Sequence, residues 1–148
     1  MWQHEFVAEV NSPKEVIWDL VADVKNWNKW HTGIAYSYLN GDFAQDTWGS
    51  FKATDRLQTL YMLFQISKCI KNQTFAMKVK RALCTIEIGY ELHELSDEEN
   101  KQKIKLYIKI SGLLTFIHKK KIGRIFLVSV QKSMKNLVTL AKIMEQEL

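Results

Sequence analysis

The chain has 148 residues, of which 47% are hydrophobic and 25% charged, and this composition excludes a disordered or fibrous protein. Its longest apolar run, residues 60–64, is far shorter than a bilayer-spanning helix, and residues 1–5 do not open a signal peptide. We therefore expect one soluble, cytoplasmic domain over residues 1–148. Cys69 and Cys84 lie in apolar stretches and are predicted to be buried thiols without a disulfide.

Charge is unevenly distributed along the chain. Residues 1–100 hold 10 basic and 14 acidic side chains, whereas residues 101–148 hold 11 and 2, which divides the net charge of +5 into −4 and +9. A basic last third indicates either an anionic partner, such as a phospholipid headgroup or a nucleic acid, or a solvated face.

The first elements are predicted to be a strand and two short helices. Residues 6–10 alternate between apolar and other side chains, which indicates a strand. Ser12, followed by Pro13 and Glu15, has the pattern of a capping box with Ser12 as the N-cap of a helix. Asp23 is expected to cap a second short helix that carries two tryptophans.

A period of two residues then dominates and predicts six further strands. Turn signals separate them, and the alternation is clearest in the last two. One apolar face and one polar face are typical of an antiparallel sheet, because strands covered on both faces read as continuous apolar runs. The predicted strands are 34–39, 48–54, 62–70, 74–80, 84–93 and 103–110.

A helical period returns after Gly112 and predicts one long C-terminal helix. Apolar residues recur there at every third or fourth position: Phe126, Val130, Met134, Leu137, Ala141 and Met144. One helix must cover the apolar face of six or seven strands, so the sheet must curl around it. A strongly curled sheet need not close tightly along the whole helix, and we expect a cavity lined by its apolar face.

The sequence also resembles a known family. The matching residues, carried by their order and spacing, are Pro13-Lys14-Glu15-Val16-Ile17-Trp18, Asp23, Trp27, Trp30-His31, Leu39-Asn40-Gly41-Asp42-Phe43, Thr47-Trp48-Gly49 and Gly112-Leu113-Leu114. They resemble the polyketide cyclase/dehydrase and lipid-transport group of the SRPBCC superfamily. The resemblance implies an α+β START-like helix-grip fold with a hydrophobic cavity for lipids, sterols, quinones or polyketides.

We interpret the protein first as a non-catalytic carrier of a small hydrophobic ligand. The predicted cavity walls are Phe51, Phe64, Ile66, Phe75, Met77, Ile88, Tyr90, Leu106, Ile108, Phe126, Val130 and Met134. The signature residues Trp18, Trp27 and Trp30 are predicted to be packing anchors between the short helices and the sheet. Gly41 and Gly49 are predicted to serve turn and sheet geometry.

A polyketide cyclase/dehydrase-like enzyme is the alternative, but no catalytic residue is assigned. Tyr90 is the best candidate, because it stands in the apolar register of its strand, where a phenol needs a partner or a ligand. The direction of Tyr36 and Tyr38 stays open. Glu87, Glu91 and His93 share the polar register and should face solvent. We expect no cofactor and no metal site, since no His or Cys pair has ligand spacing.

The basic last third offers two further interpretations. Apolar residues directly precede Lys119, Lys120, Lys121 and Arg124, a combination suited to transient docking on an anionic membrane, although solvated lysines explain it too. The outer face of the last strand carries Lys101, Lys103, Lys105, Tyr107 and Lys109. This stripe could follow a phosphate backbone, but lysines that block edge pairing and aid solubility explain it better, so a nucleic-acid partner is the least favoured hypothesis.

Overall fold

The computed structural model describes residues 1–53, 61–81, 83–95, 101–113 and 131–146. The elements in order are β1 (Trp2–Val10), α1 (Lys14–Ala22), a 3-10 helix (Val24–Lys29), β2 (Ile34–Leu39), β3 (Trp48–Ala53), β4 (Tyr61–Ile70), β5 (Thr74–Arg81), β6 (Cys84–Glu94) and β7 (Gln102–Gly112). Residues 131–146 are helical and are named α2. The predicted element order is confirmed, and β2 has the predicted bounds.

All seven strands form one curved antiparallel sheet in the order β1-β7-β6-β5-β4-β3-β2. Strands β2 to β7 follow one another as neighbours, whereas β1 crosses to pair with β7 along its full length. The edges of the sheet are therefore β1 and β2. Register shifts in β2, between Ile34 and Tyr36, and in β4, between Ile66 and Lys68, add local twist.

Successive side chains point to opposite sides of the sheet, so its concave face is buried and its convex face is exposed to solvent. In β7 the even-numbered residues from Gln102 to Ile110 are buried, while the odd-numbered ones are partly exposed. The same alternation runs along β1, from partly buried Trp2 to buried Val10. The concave face packs against both short helices, and the core includes Met134, Leu137 and Ala141 of α2.

Polar contacts hold α2 at both ends. The Thr32 backbone N–H donates to Ser133 Oγ over 3.1 Å, and Asn136 Nδ2 donates to the Trp30 carbonyl over 3.2 Å. At the other end, Ser12 Oγ donates to Glu145 Oε2 over 3.3 Å. The helix is thus fixed between the loop that precedes β2 and the loop that precedes α1.

The last of these contacts explains why the capping-box prediction is wrong. Pro13, not Ser12, occupies the N-cap of α1, and no side chain caps this helix. The Pro13 carbonyl accepts from the backbone N–H groups of Val16 and Ile17, while the buried Ser12 hydroxyl bonds to the Glu145 carboxylate instead. The Ser12 hydroxyl bonds to this carboxylate of a distant helix because hydrogen bonds to charged acceptors are stronger than those between neutral groups.

The second helix starts at the predicted place but without the predicted side-chain cap. Asp23 is its N-cap residue, yet the carboxylate bonds to no backbone N–H group. The Asp23 carboxylate instead accepts from Asn26 Nδ2 over 2.7 Å, and its carbonyl accepts from the Asn26 backbone N–H. The helix is of the 3-10 type and ends at Lys29, so Trp30 lies one residue beyond it.

Candidate ligand-binding site

Aromatic rings form the centre of the concave face. Trp27 lies 5.7 Å from Phe64 and 6.0 Å from Phe75, measured between ring centroids. Phe75 also stacks on Tyr90 at 5.4 Å and contacts Phe43 at 5.0 Å. The strands and the 3-10 helix thus contribute to one continuous aromatic cluster, which gives the concave face a broad apolar surface.

The predicted wall residues fall on this face wherever the structure describes them. Those that are buried are Phe64, Ile66, Phe75, Met77, Tyr90, Leu106, Ile108 and Met134. Phe51 and Ile88 are partly buried and pack against the same core. Phe126 and Val130 lie outside the described residues. The shared face is therefore established for most of the set, and the role of these residues in binding stays a prediction.

The three signature tryptophans are packing anchors, as predicted. Trp18, Trp27 and Trp30 are all buried. Trp18 meets Phe43 edge-on at 5.7 Å, and Trp27 Nε1 donates to the Val21 carbonyl over 2.8 Å. Trp30 differs from Trp27, because its buried Nε1 has no hydrogen-bond partner within the described ranges.

Tyr90 occupies the inward register that the sequence predicts. Its ring stands between Phe75 and Trp30, which meets it edge-on at 6.2 Å, and 5% of the residue is exposed. Burial raises the pKa of Tyr90 well above its usual range, so the phenol is neutral at physiological pH. Tyr36 and Tyr38, whose direction was open, are about half exposed and point away from the core, while Ser37 between them is buried.

His31, beside Trp30, is held as a neutral imidazole. Its Nδ1 accepts a hydrogen bond from the Gly33 backbone N–H over 3.1 Å, which requires the unprotonated nitrogen. Burial lowers the pKa of His31 from 6.5 to about 4. His31 is among the residues that carry the family resemblance, but the sequence assigns it no role, because its neutral state depends on the packing around it.

A groove of about 680 Å³ lies between β1 and α2. Phe6 and Ala8 of β1 form one wall, and Met134 and Val138 of α2 form the other. This volume falls within the usual range of small-molecule sites. Met134 belongs to the predicted wall, whereas Phe6, Ala8 and Val138 were missed because the strand order that places β1 beside α2 does not follow from periodicity.

Solved structures identify the fold. A START superfamily protein from Mycobacterium smegmatis aligns with a TM-score of 0.73 at 12% identity, over 96% of this chain and 98% of that protein. A protein from Thermus thermophilus aligns with a TM-score of 0.74 at 10% identity, again over 96% and 98%. The chain has a START-like helix-grip fold. At these identities the likeness establishes the fold alone.

A third solved structure with a similar fold is the di-domain ARO/CYC protein BexL from the BE-7585A biosynthetic pathway. It aligns with a TM-score of 0.73 at 12% identity, and the alignment covers 94% of this chain but 46% of that protein. No family model matches the sequence of this chain, and no curated protein does.

The convex face of the START-like sheet pairs its charges internally. Lys105 Nζ lies 3.1 Å from Glu5 Oε1 and 3.5 Å from Glu91 Oε2, and the hydrogen bond to Glu5 raises the pKa of Lys105. Glu87 lies 3.9 Å from Lys78. The predicted outward direction of Glu87, Glu91 and His93 is therefore confirmed, and the two glutamates pair with lysines instead of forming an acid/base set.

The basic stripe of β7 also lies on this convex face. Lys109 stands 4.9 Å above the ring of Tyr107, and Lys105 is paired as described. Burial, with the nearby charges of Glu87 and Glu91, raises the pKa of Tyr107 to about 12. Protection of a sheet edge is the wrong explanation for the stripe, because β7 lies inside the sheet between β1 and β6. Because acidic side chains lie beside these lysines, the surface is poorly suited to binding a phosphate backbone.

Other predictions concern thiols, metals and membranes. Cys84 is buried, Cys69 is partly buried, and both are free thiols. Within the described ranges, no group of three His, Cys, Asp or Glu residues is placed to hold a metal ion. None of the helices described by the structure is long and apolar enough to cross a bilayer. Lys119, Lys120, Lys121 and Arg124 lie outside the described residues.

Proposed function

We propose that the protein binds or carries a small hydrophobic ligand between α2 and the concave face of the sheet. The observation that carries the proposal is the groove between β1 and α2, whose apolar side chains Phe6, Met134 and Val138 are continuous with the buried core. The START-like fold supports it, because a curved sheet around one helix is the geometry in which such a cavity forms.

Apolar burial would supply most of the binding energy. Covering roughly 300 Å² of ligand apolar surface gives about 7 kcal/mol before the costs of association. The groove also carries polar and charged side chains at its rim, among them Glu9 and Lys135. Because apolar walls select volume more than identity, we expect several lipids, sterols or quinones of suitable size to bind.

Titration with the fluorescent fatty acid cis-parinaric acid tests the proposal. Met134→Trp places a larger ring in the groove and should weaken binding at least tenfold. Lys132→Trp is the matched control, because Lys132 is on the exposed side of α2 and should leave binding unchanged. Ala8→Leu fills the groove from the opposite wall and should also weaken binding. Equal binding by all variants, or none by the unaltered protein, contradicts the proposal.

A cyclase-like activity is the second candidate, and Tyr90 is the observation that favours it. A neutral phenol within the aromatic cluster could donate a hydrogen bond to a substrate carbonyl. The ARO/CYC neighbour makes a polyketide the substrate class to test. With a linear poly-β-ketone mimic, Tyr90→Phe should abolish turnover and leave binding intact. If the unaltered protein does not change the mimic, the carrier function stands alone.

Exchange of the ligand at an anionic membrane is a further part of the proposal. It rests on the sequence of residues 113–124, where apolar residues precede Lys119, Lys120, Lys121 and Arg124. Each lysine near an anionic surface contributes about 1 kcal/mol. Flotation with phosphatidylserine vesicles should show binding that is lost when the three lysines are changed to glutamine. Unchanged flotation would remove this part and leave ligand binding unaffected.

A further inference from the structure

A second hollow lies at one end of the sheet, away from the groove between β1 and α2. Its volume is about 500 Å³, and its walls come from the β4–β5 turn, the end of β6, the beginning of β7 and the first residue of α1. The turn contributes Asn72 and Gln73, and Asn72 adopts the left-handed conformation at φ 62°. The hollow shares no lining residue with the groove.

The unusual residue of this hollow is Gln102. It lines the hollow and none of its surface is exposed, and among the residues that the structure describes neither Oε1 nor Nε2 has a hydrogen-bond partner. Buried side-chain amides in proteins are almost always paired. Gln102 also stands in the inward register of β7, where the next inward residues are Ile104 and Leu106. An apolar residue would suit this position without the penalty of an unpaired amide.

The charges around Gln102 indicate what kind of ligand fits. Lys14 Nζ lies 3.1 Å from Glu94 Oε1, and Glu91 is paired with Lys105. The lining carries Lys14 and Lys68 against Glu91 and Glu94, so its formal charges cancel. The hollow is also lined by Asn72, Gln73 and His93. A lining of this kind, with the donor and the acceptor of the buried Gln102 amide, favours an uncharged ligand over an anion or a cation.

The ion pair between Lys14 and Glu94 lies at the strand position opposite Gln102 and lines the same hollow. Glu94 is the cross-strand partner of Gln102, so this pair borders the amide. Its side chains are 39% and 54% exposed, and exposed ion pairs of this kind contribute little to stability. A ligand that approaches Gln102 from the hollow can therefore separate this ion pair at little cost.

We infer that this hollow binds a small neutral group that presents a hydrogen-bond donor and acceptor side by side, such as a carboxamide, lactam or imide. The ligand N–H donates to Gln102 Oε1, and its carbonyl accepts from Gln102 Nε2, which satisfies both atoms of the buried amide. The inference does not depend on the apolar ligand proposed for the groove.

Nuclear magnetic resonance of the full 15N-labelled chain tests this inference. The probe is 2-pyridone, a cyclic amide whose N–H and C=O lie side by side, and its control is N-methyl-2-pyridone, which lacks the donor. We expect 2-pyridone to shift the Gln102 side-chain NH2 resonances in a saturable way. The N-methyl compound should bind at least tenfold more weakly.

Two variants complete the experiment. Gln102→Met keeps the length of the side chain, removes the amide and should abolish the response of neighbouring backbone resonances to 2-pyridone. Gln45→Met makes the same change at an exposed residue outside the hollow and should keep the response. The backbone spectrum of each variant reports whether it is folded. No response to 2-pyridone, equal responses to both compounds, or an unaltered response in folded Gln102→Met would overturn the inference.

Discussion

The two faces of the sheet treat polar groups in opposite ways. On the convex face, Lys105 bridges Glu5 and Glu91, and Lys109 covers the Tyr107 ring, so charges are neutralised close to where they arise. On the concave side, where apolar side chains dominate, buried Trp30 Nε1 and the Gln102 amide have no hydrogen-bond partner in the part of the chain that the structure describes. An unpaired buried polar atom costs free energy, whereas a paired exposed one costs almost none.

The convex face thus presents paired charges to water, whereas the concave side buries polar atoms whose hydrogen bonds are not made with any residue that the structure describes. The concave side has an apolar surface, a groove beside α2 and, among the described residues, buried polar atoms without a partner. The following predictions test the contrast, beginning with the largest effect.

The largest effect should come from truncating the aromatic cluster. Phe64 is fully buried, whereas its neighbour Leu63 points outward and is 66% exposed. Phe64→Ala should reduce the free energy of unfolding by about 3–5 kcal/mol, because it removes a ring and leaves a cavity. Leu63→Ala should change it by less than about 0.5 kcal/mol. Urea denaturation of both variants measures the difference, and equal losses would show that the two faces do not differ.

Acid should destabilise the protein through His31. The folded-state pKa is about 4, below the ordinary 6.5, so the unfolded chain binds more protons between these two values. The free energy of unfolding should therefore fall as pH drops from 6.5 to 4, with up to about 3 kcal/mol from this residue. His31→Asn should flatten the profile, while His93→Asn on the convex side should not. A parallel profile for His31→Asn and the unaltered protein would contradict this origin.

Two glycines should respond differently to a methyl group. A Cβ at Gly49 would overlap the Tyr38 carbonyl and the buried Phe64 ring, whereas one at Gly89 would overlap the outer end of the Tyr107 ring. Gly49→Ala should therefore cost about 1–3 kcal/mol of stability, since neither neighbour can move freely. Gly89→Ala should cost less, because Tyr107 lies on the convex face and can rotate. A larger loss for Gly89→Ala would show that the Tyr107 ring is rigidly held.

The smallest effect should come from the charges of the convex face. Lys105→Gln removes contacts with Glu5 and Glu91, but the side chain stays accessible to water. Its urea midpoint should stay close to that of the unaltered protein, and any difference should vanish in high salt. A large, salt-independent fall of the midpoint would mean that the convex face is stabilised by specific ion pairs.

Much of the fold followed from the sequence because alternation reports directly which side chains are buried. The predicted strands of β6 and β7 end within two residues of the observed ones. The prediction that Ser12 caps α1 is wrong because its hydroxyl bonds to Glu145, which lies 133 residues away and is brought close by tertiary packing. The local sequence pattern predicts whether a side chain points inward or outward. It does not identify a residue, distant in sequence, that forms a hydrogen bond with that side chain.

The site was less predictable for the same reason. Tyr90 could be placed inward from the register of β6, and the structure confirms that direction. Gln102 occupies the same kind of position in β7, so alternation could have marked it as buried. That its amide is unpaired depends on elements from four parts of the chain that meet around it. The pairing of β1 with β7, which places Phe6 beside α2, is likewise a matter of strand order.

Native mass spectrometry of the purified protein tests the central claim most directly, because it detects a noncovalently held molecule without assuming its identity. We predict a species heavier than the 17.4 kDa chain that releases a small apolar molecule on activation, or that forms when lipids or quinones are added. Met134→Trp should lose this species, and Lys132→Trp should keep it. The mass of the bare chain alone, together with no uptake of any added lipid or quinone, would contradict the account.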